Sequence, residues 1–390
     1  MKKTVHAVDV ADKRVLVRCD FNVPLSEGRV QDDTRIRAAL PTIMHLMYEG
    51  ARVILCSHLG RPGGRVDEYL RLDPVRDRLA ELTDLEVLKM DDSVGEAVEE
   101  AVRYLEPGKM MLLENTRFYP EEEKNDPEFA RKLAALAELF VNDAFGSAHR
   151  AHASTEGVAR YLPAVAGLLM EKELKALKGI VGQPKRPFAA IFGGAKISDK
   201  IPVIERLLDR LDRILCGGGM ANTLLKAKGL ETGHSLVEKK GLEAARHILN
   251  RAGEKLFLPV DLVITDDPEG KGMSETVFPE KVSPGNYVVD IGPGSLSAFK
   301  QTLNAVETVV WNGPMGLYEK PPFDRGTVEL ARTVADLSAV TVVGGGDTLA
   351  AVLHRVSADA FTHVSTGGGA FMAFLEGREL PGVRVLDDMA

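Results

Sequence analysis

In the first half of the chain, cationic side chains stand where apolar runs end. RCDFNVP carries Arg18, Asp20 and Asn22; SHLGRP carries His58 and Arg61; ENTRF carries Arg117; FGSAHRAHAS carries His149, Arg150 and His152. Arg35 opens the helix that follows the first of these motifs. A guanidinium is planar, always charged, and pairs with carboxylate or phosphate through two parallel hydrogen bonds. Taken singly, each arginine reads first as a surface or salt-bridge residue. Several converging at the C-terminal edge of one parallel sheet, where ligands bind in such folds, make a receptor for a small, highly anionic molecule. His58 and His149 are available as hydrogen-bond donors, and neither has an evident acid–base partner.

The second half uses glycine instead. FAAIF leads into Gly193-Gly194, RILC into Gly217-Gly218-Gly219, VTVV into Gly344-Gly345-Gly346, and FTHVST into Gly367-Gly368-Gly369. An apolar run ending in glycines reads as a buried strand whose loop brings backbone N–H groups close to a ligand. A helix starting next adds unpaired donors and positive potential, which together favour an anion. In GGAKISDK, Lys196 and Lys200 flank Ser198-Asp199, which mark a helix start. Two ammonium groups there suit a polyphosphate; the plain alternative is a pair of lysines solvated on a helix face. In GGGDTLAAVL, Asp347 and Thr348 fall at the N-cap. Asp347 reads either as a simple cap or as a carboxylate holding Mg2+ carried by a nucleotide. Further turns stand at Gly292-Pro293-Gly294 and Asn312-Gly313-Pro314. No Gly-x-x-x-x-Gly-Lys-Ser/Thr is present, so the P-loop design is excluded. No strand-linked Gly-x-Gly-x-x-Gly with a downstream acid is present, which weakens a nicotinamide reading.

The elements that must hold these residues alternate strand and helix throughout, the pattern of parallel sheets covered on both faces. Strands are predicted at Val15–Arg18, Val53–Cys56, Met110–Leu113 and Leu139–Asn142. A helix is predicted over about Thr34–Glu49, with Ile36, Leu40, Ile43 and Met47 on one face and Pro41 expected to kink or loosen it. Another covers about Pro127–Glu138. Gly167–Gly179 reads as a connecting helix packed through Leu168, Leu169, Leu174 and Leu177, and the run from Gly182 to Pro187 as a domain junction. After Gly377 no period is strong, so a packed-down tail and a frayed one are equally open.

At 390 residues, two domains are the prior. The composition, 45% hydrophobic and 27% charged, is that of an ordinary globular protein. A net charge of −8 argues against nucleic-acid binding through bulk electrostatics. No apolar stretch reaches membrane-spanning length, and the start lacks a signal-type core. Cys19, Cys56 and Cys216 all fall in or at the end of strand-like runs and read as small buried residues. No Cys-x-x-Cys or His-Glu-x-x-His spacing suggests a protein-bound zinc site. The odd cysteine count and absent signal point to the cytoplasm.

The strings RCDFNVP, SHLGRP, LLENTRFY, VNDAFGSAHRAHAST, GGAKISDK, GGGMANT, VVWNGPMG, TVVGGGDT and STGGGA stand in the order found in the phosphoglycerate kinase family. The chain closely resembles that family over nearly its whole length. The resemblance implies an α/β fold: two doubly wound parallel-sheet (Rossmann-like) domains joined by a hinge helix. The implied bounds are 1–166 for the phosphoglycerate-binding domain, 167–187 for the hinge helix and linker, 188–375 for the nucleotide-binding domain, and 376–390 for a tail packing back on the first domain. It also implies reversible transfer of the acyl phosphate of 1,3-bisphosphoglycerate to ADP, in line, after domain closure.

By resemblance, Asp20, Phe21, Asn22, Arg35, His58, Leu59, Gly60, Arg61, Arg117 and Arg150 would bind the phosphoglycerate. Lys200, Gly219, Gly292, Asn312, Glu319, Gly345, Gly346, Asp347 and Thr348 would bind the nucleotide, with Glu319 on the ribose and Asp347 on its Mg2+. Arg35, Lys196 and Lys200 would be catalytic. The partners implied are phosphoglycerates and ADP or ATP, with no nucleic acid, no membrane and no tightly bound organic cofactor, in a monomer. The chain departs from the family pattern at AFMAFLEG, IGPGSL and RPGGRVDEYL, and the first two bear on nucleotide affinity rather than chemistry. A nicotinamide dehydrogenase would need the missing fingerprint. A non-catalytic nucleotide-binding module would not need Arg35, Lys200 and the first-half arginines together.

Overall fold

A computed structural model describes residues 2–389 and divides into two units: one runs up to Lys175 and takes in the residues from Glu379 on, the other is Ala176–Arg378. Each unit is built on a six-stranded sheet in which every pairing is parallel.

In the first unit the elements are β1 (Arg14–Arg18), α1 (Thr34–Tyr48), β2 (Arg52–Cys56), α2 (Asp73–Thr83), β3 (Val87–Lys89), α3 (Glu96–Tyr104), β4 (Met110–Leu112), α4 (Pro127–Ala135), β5 (Leu139–Asn142) and β6 (Ala164–Ala166). Their order across the sheet is β3-β4-β2-β1-β5-β6. Val15, Leu16 and Val17 are all 0% exposed, so both faces of β1 are covered, as a continuous apolar run in a parallel sheet requires. The chain steps one way from β1 to β2 and returns on the other side as β5. That reversal opens a crevice at the strands' C-terminal ends, where all four cationic motifs emerge.

Helix α1 runs unbroken through Pro41. Helix α4 starts where Asp126 accepts the N–H groups of Glu128 and Phe129, and it ends at Ala135, three residues short of its predicted end. The connecting helix, α5 (Leu168–Gly182), runs past its expected stop at Gly179 because the breakers begin only with Gln183-Pro184. Its N-terminal N–H groups at Leu169 and Met170 are taken by buried Asp143.

In the second unit the large sheet has the order β9-β8-β7-β13-β14-β15, from β7 (Phe188–Phe192), β8 (Arg213–Cys216), β9 (Leu256–Phe257), β13 (Thr308–Asn312), β14 (Val340–Gly344) and β15 (His363–Ser365). A small antiparallel sheet of β10 (Leu262–Thr265), β11 (Ser274–Val277) and β12 (Tyr287–Ile291) lies between β9 and β13 in sequence. The helices include α6 (Ile201–Leu207), α7 (Gly218–Ala227), α8 (Leu242–Ala252), α9 (Pro293–Leu303), α10 (Arg325–Ala335), α11 (Gly346–Val352) and α12 (Gly369–Leu375). The switch point is between β7 and β13, and the glycine loops leave the C-terminal ends of these strands and their neighbours.

Two expected helix starts shift. Helix α6 begins at Ile201, after a turn that Lys200 closes by donating its N–H to the Ile197 carbonyl. Ser198 does not cap it, because its hydroxyl donates to Glu238 at 2.6 Å. Asp347 and Thr348 lie inside the first turn of α11. The cap position is Gly345, at φ +106°, a conformation that L side chains rarely adopt.

The closing segment belongs to the first unit and carries α13 (Pro381–Arg384). Gly382 donates to the Ala148 carbonyl and accepts from Asn142 Nδ2, each at 2.9 Å, and the Lys3 N–H donates to the Asp387 carbonyl. Cys19, Cys56 and Cys216 are free and buried. Among the described residues no helix is long and apolar enough to cross a membrane.

Candidate active site

In the first unit the site begins at the end of β1. Arg18 is 1% exposed; its guanidinium donates to Ser154 Oγ at 2.8 Å, to the Cys19 carbonyl, and to His58 Nδ1 at 3.0 Å. That last bond makes Nδ1 the acceptor and leaves the His58 proton on Nε2. Burial pushes the His58 imidazolium well down; the charge of Asp20 opposes this, and Arg18, Arg117 and Arg150 reinforce it. His58 is a neutral donor.

Asp20 accepts from Arg35 at 3.1 Å, from the Asn22 N–H and from Ser147 Oγ at 3.2 Å. Burial alone would raise its carboxyl, but Arg35, His58 and Arg18 override this and bring it to about 2. Arg35 also donates to the Asn22 carbonyl, and Asn22 Oδ1 accepts the Gly60 N–H at 2.8 Å. Phe21 and Leu59 are buried, and their backbone groups are engaged within the fold, Phe21 N–H by Ser57 Oγ and Leu59 by Asn115, so they shape the loops beside the crevice. Arg61 is exposed.

Arg117 is 4% exposed, donates to the Gly60 carbonyl at 2.7 Å and lies 3.1 Å from Glu123. Its pKa is pushed down by burial and by the like charge of Arg150. Arg150 contacts His149 at 3.3 Å, and His152 is held at about 4 by burial together with Arg117, Arg18 and Arg150. The structure therefore brings Asp20, Asn22, Arg35, Gly60 and Arg117 into one hydrogen-bonded cluster, with the Arg18–His58 pair coupled to Asp20 through charge and Arg150 close enough to Arg117 to oppose its charge. Its positive charge exceeds its carboxylates.

The second unit supplies a different mouth. A cavity of about 130 Å³ is lined by Gly219, Asn222, Pro314, Met315, Glu319 and Asp347, among others, which brings three of the expected nucleotide residues onto one wall. Beside it Lys200 Nζ donates to Asn312 Oδ1, while Asn312 Nδ2 donates to the Gly344 carbonyl at 2.7 Å. Burial lowers the Lys200 ammonium, against the pull of Asp199, Asp347 and Glu376. Thr348 is buried, accepts the Gly313 N–H at 2.7 Å and donates to the Gly344 carbonyl. Its part is to tie two loops together. Lys196 and Asp347 are exposed.

Gly292 is buried at the N-terminus of α9, one residue beyond the cavity wall at Ile291. A Cβ there would meet the Asp261 carboxylate at 2.4 Å. Asp261 also accepts the N–H groups of Gly294 and Ser295, so the donors of the IGPGSL turn are already engaged. No group of three or more His, Cys, Asp or Glu among the described residues could hold a metal. A cation at Asp347 would draw its other ligands from phosphate and water. A larger groove of about 860 Å³, between Leu225, Arg246, Leu249 and Phe278, contains none of the expected residues.

Several contacts that support the candidate site have no signal in the sequence. Ser154 and Glu122 behind Arg18, and Ser147 behind Asp20, reach across more than thirty residues of chain in each case. Only the pairing of a buried arginine with a buried histidine could have hinted at the first.

The family model described as phosphoglycerate kinase matches residues 5–378. The chain is 56% identical over 391 residues to the phosphoglycerate kinase of Pelotomaculum thermopropionicum, covering 99% of each. It is 56% identical to that of Desulforudis audaxviator, covering 100% of each. It is also similar to the solved structure of phosphoglycerate kinase from Coxiella burnetii, with TM-score 0.87 and 39% identity, covering 99% of this chain and 98% of that one.

Proposed function

Since the chain belongs to the phosphoglycerate kinase family, and is thereby a phosphotransferase of glycolysis, we propose that its two sheet edges divide the substrates between them. The first unit's arginine cluster binds the phosphoglycerate and the second unit's cavity binds ADP or ATP. The observation that carries this is the charge imbalance around Arg117. Burial and Arg150 both oppose its charge and Glu123 at 3.1 Å offsets it, while Asp20 is already committed to Arg35. The guanidiniums of Arg18, Arg35, Arg117 and Arg150 therefore outnumber the carboxylates of Asp20 and Glu123. A small polyanion satisfies such a cluster.

The reacting oxygen of the phosphoglycerate is a carboxylate and has no proton to lose. This fits a site that needs no general base, and His58 and His152 are both held neutral there. Alignment and charge neutralisation carry the chemistry of a loose phosphoryl transition state. We assign Arg35 and Lys200 to the transferring group and Lys196 to the nucleotide phosphates beside it. Asp347 would hold Mg2+ brought by the nucleotide, an ion that supplies charge neutralisation at the phosphates. Closure about α5 would unite the substrates for in-line transfer and exclude the water that hydrolyses acyl phosphates. The proposal includes a monomer acting in the cytoplasm, a compartment that suits three buried free thiols.

The test is ATP formation from 1,3-bisphosphoglycerate and ADP in a coupled assay. Retained nucleotide binding without phosphate transfer would replace this reading with that of a binding module.

A further inference from the structure

Behind the arginine cluster lies Asn115, between the loop of His58 and the turn of Arg117. Asn115 is 0% exposed, and its carboxamide makes four hydrogen bonds, its full capacity. Oδ1 accepts the N–H groups of Leu59 and Arg117, each at 3.1 Å. Nδ2 donates to the carbonyls of Leu59 at 2.8 Å and Leu70 at 2.9 Å. The pair of bonds to Leu59 grips that residue at both backbone groups, as a neighbouring strand would.

Gly60 is fixed from every side as a result. Its N–H goes to Asn22, its carbonyl accepts from Arg117, and the Leu70 side chain fills the space where a Cβ would stand, 2.7 Å away. Asn115 is itself anchored: Glu114 accepts its N–H at 2.8 Å and that of Leu72 at 3.0 Å. The Glu114 charge is met by Lys89 at 2.8 Å and Arg71 at 3.1 Å. One carboxamide thus joins the loop bearing His58 and Arg61, the turn bearing Arg117, and the segment ending in Leu70.

We propose that Asn115 is a positioning residue that sets the His58–Arg61 loop against Arg117, and so governs affinity for the phosphoglycerate without touching it. The inference rests on reading this cluster as the phosphoglycerate site. An isosteric leucine would orphan four buried backbone groups, which are costly to leave unpaired. Aspartate would keep the two accepted bonds and lose the two donated ones.

The experiment is steady-state kinetics with 3-phosphoglycerate and ATP on Asn115→Asp, Asn115→Leu and Arg117→Ala. Both Asn115 variants are expected to raise KM for 3-phosphoglycerate at least roughly tenfold, with KM for ATP within about twofold of wild type. Arg117→Ala should show the same split. Asn115 variants that only melt earlier, or that raise both KM values alike while Arg117→Ala shows the split, overturn the positioning role. If Arg117→Ala leaves KM for 3-phosphoglycerate unchanged, the site reading falls first and this inference with it. Amide exchange on the unliganded wild-type protein needs no variant to fold. Leu59 and Arg117 N–H groups should be protected before any ligand is added, and rapid exchange at both overturns a preset loop.

Discussion

Asp20 and Arg35 form an ion pair that bears on stability and, in the function proposed above, on chemistry. The folded Asp20 carboxyl lies at about 2 against an ordinary 3.8. Its stabilising contribution is therefore complete above about pH 4 and disappears as the pH falls through 2. The difference corresponds to about 2 kcal/mol. Asp20→Asn should lower stability at neutral pH by that order and flatten the acid limb of a denaturant-midpoint-versus-pH profile. An unchanged limb would show that Asp20 is not held by these cations. Arg35 remains about one-third exposed while bonded to Asp20, so it can reach a ligand without unpairing a buried charge. Arg35→Ala is expected to cut kcat by at least roughly 10²-fold while moving either KM far less. Near-normal turnover would remove it from the transition state.

Among the elements, the glycine loops act as spacers whose missing side chains let neighbouring loops lock. A Cβ on Gly345 would stand 2.4 Å from Asn312 Nδ2, the group that holds the Gly344 carbonyl while Oδ1 holds Lys200. Gly345→Ala should therefore weaken ADP binding at least roughly tenfold by calorimetry and leave 3-phosphoglycerate binding unchanged, since the strain is confined to the second unit. Equal loss for both ligands would mean general unfolding instead. Strands such as Leu139–Asn142 were legible because a short apolar run bounded by helical and turn patterns reads as a strand buried on both faces. The arginines and lysines at strand ends were legible by type. The caps were not: Ser198 has Glu238 as a competing partner forty residues away, and the glycine triplet does not say which of its three members takes the positive φ and the cap position that Gly345 holds. Asn115 was invisible for the same reason. An asparagine after a strand looks like a turn residue until its four partners are in place.

At the scale of the whole molecule, each unit carries one of the two proposed ligand edges, and the helix α5 runs from one unit into the other. If closure assembles the reaction, 3-phosphoglycerate and ATP together should compact the protein in small-angle scattering more than either does alone. A radius of gyration that stays constant in the ternary mixture would refute closure. The last segment of the chain has a different consequence. The second unit is one unbroken stretch, Ala176–Arg378, whereas the first is finished only by α13, which hands Gly382 to Asn142 and Ala148. Synthesis on the ribosome therefore completes the units in reverse order. The later-made unit has all its residues first, and the earlier-made one must wait, its β5 loop uncovered, until α13 emerges.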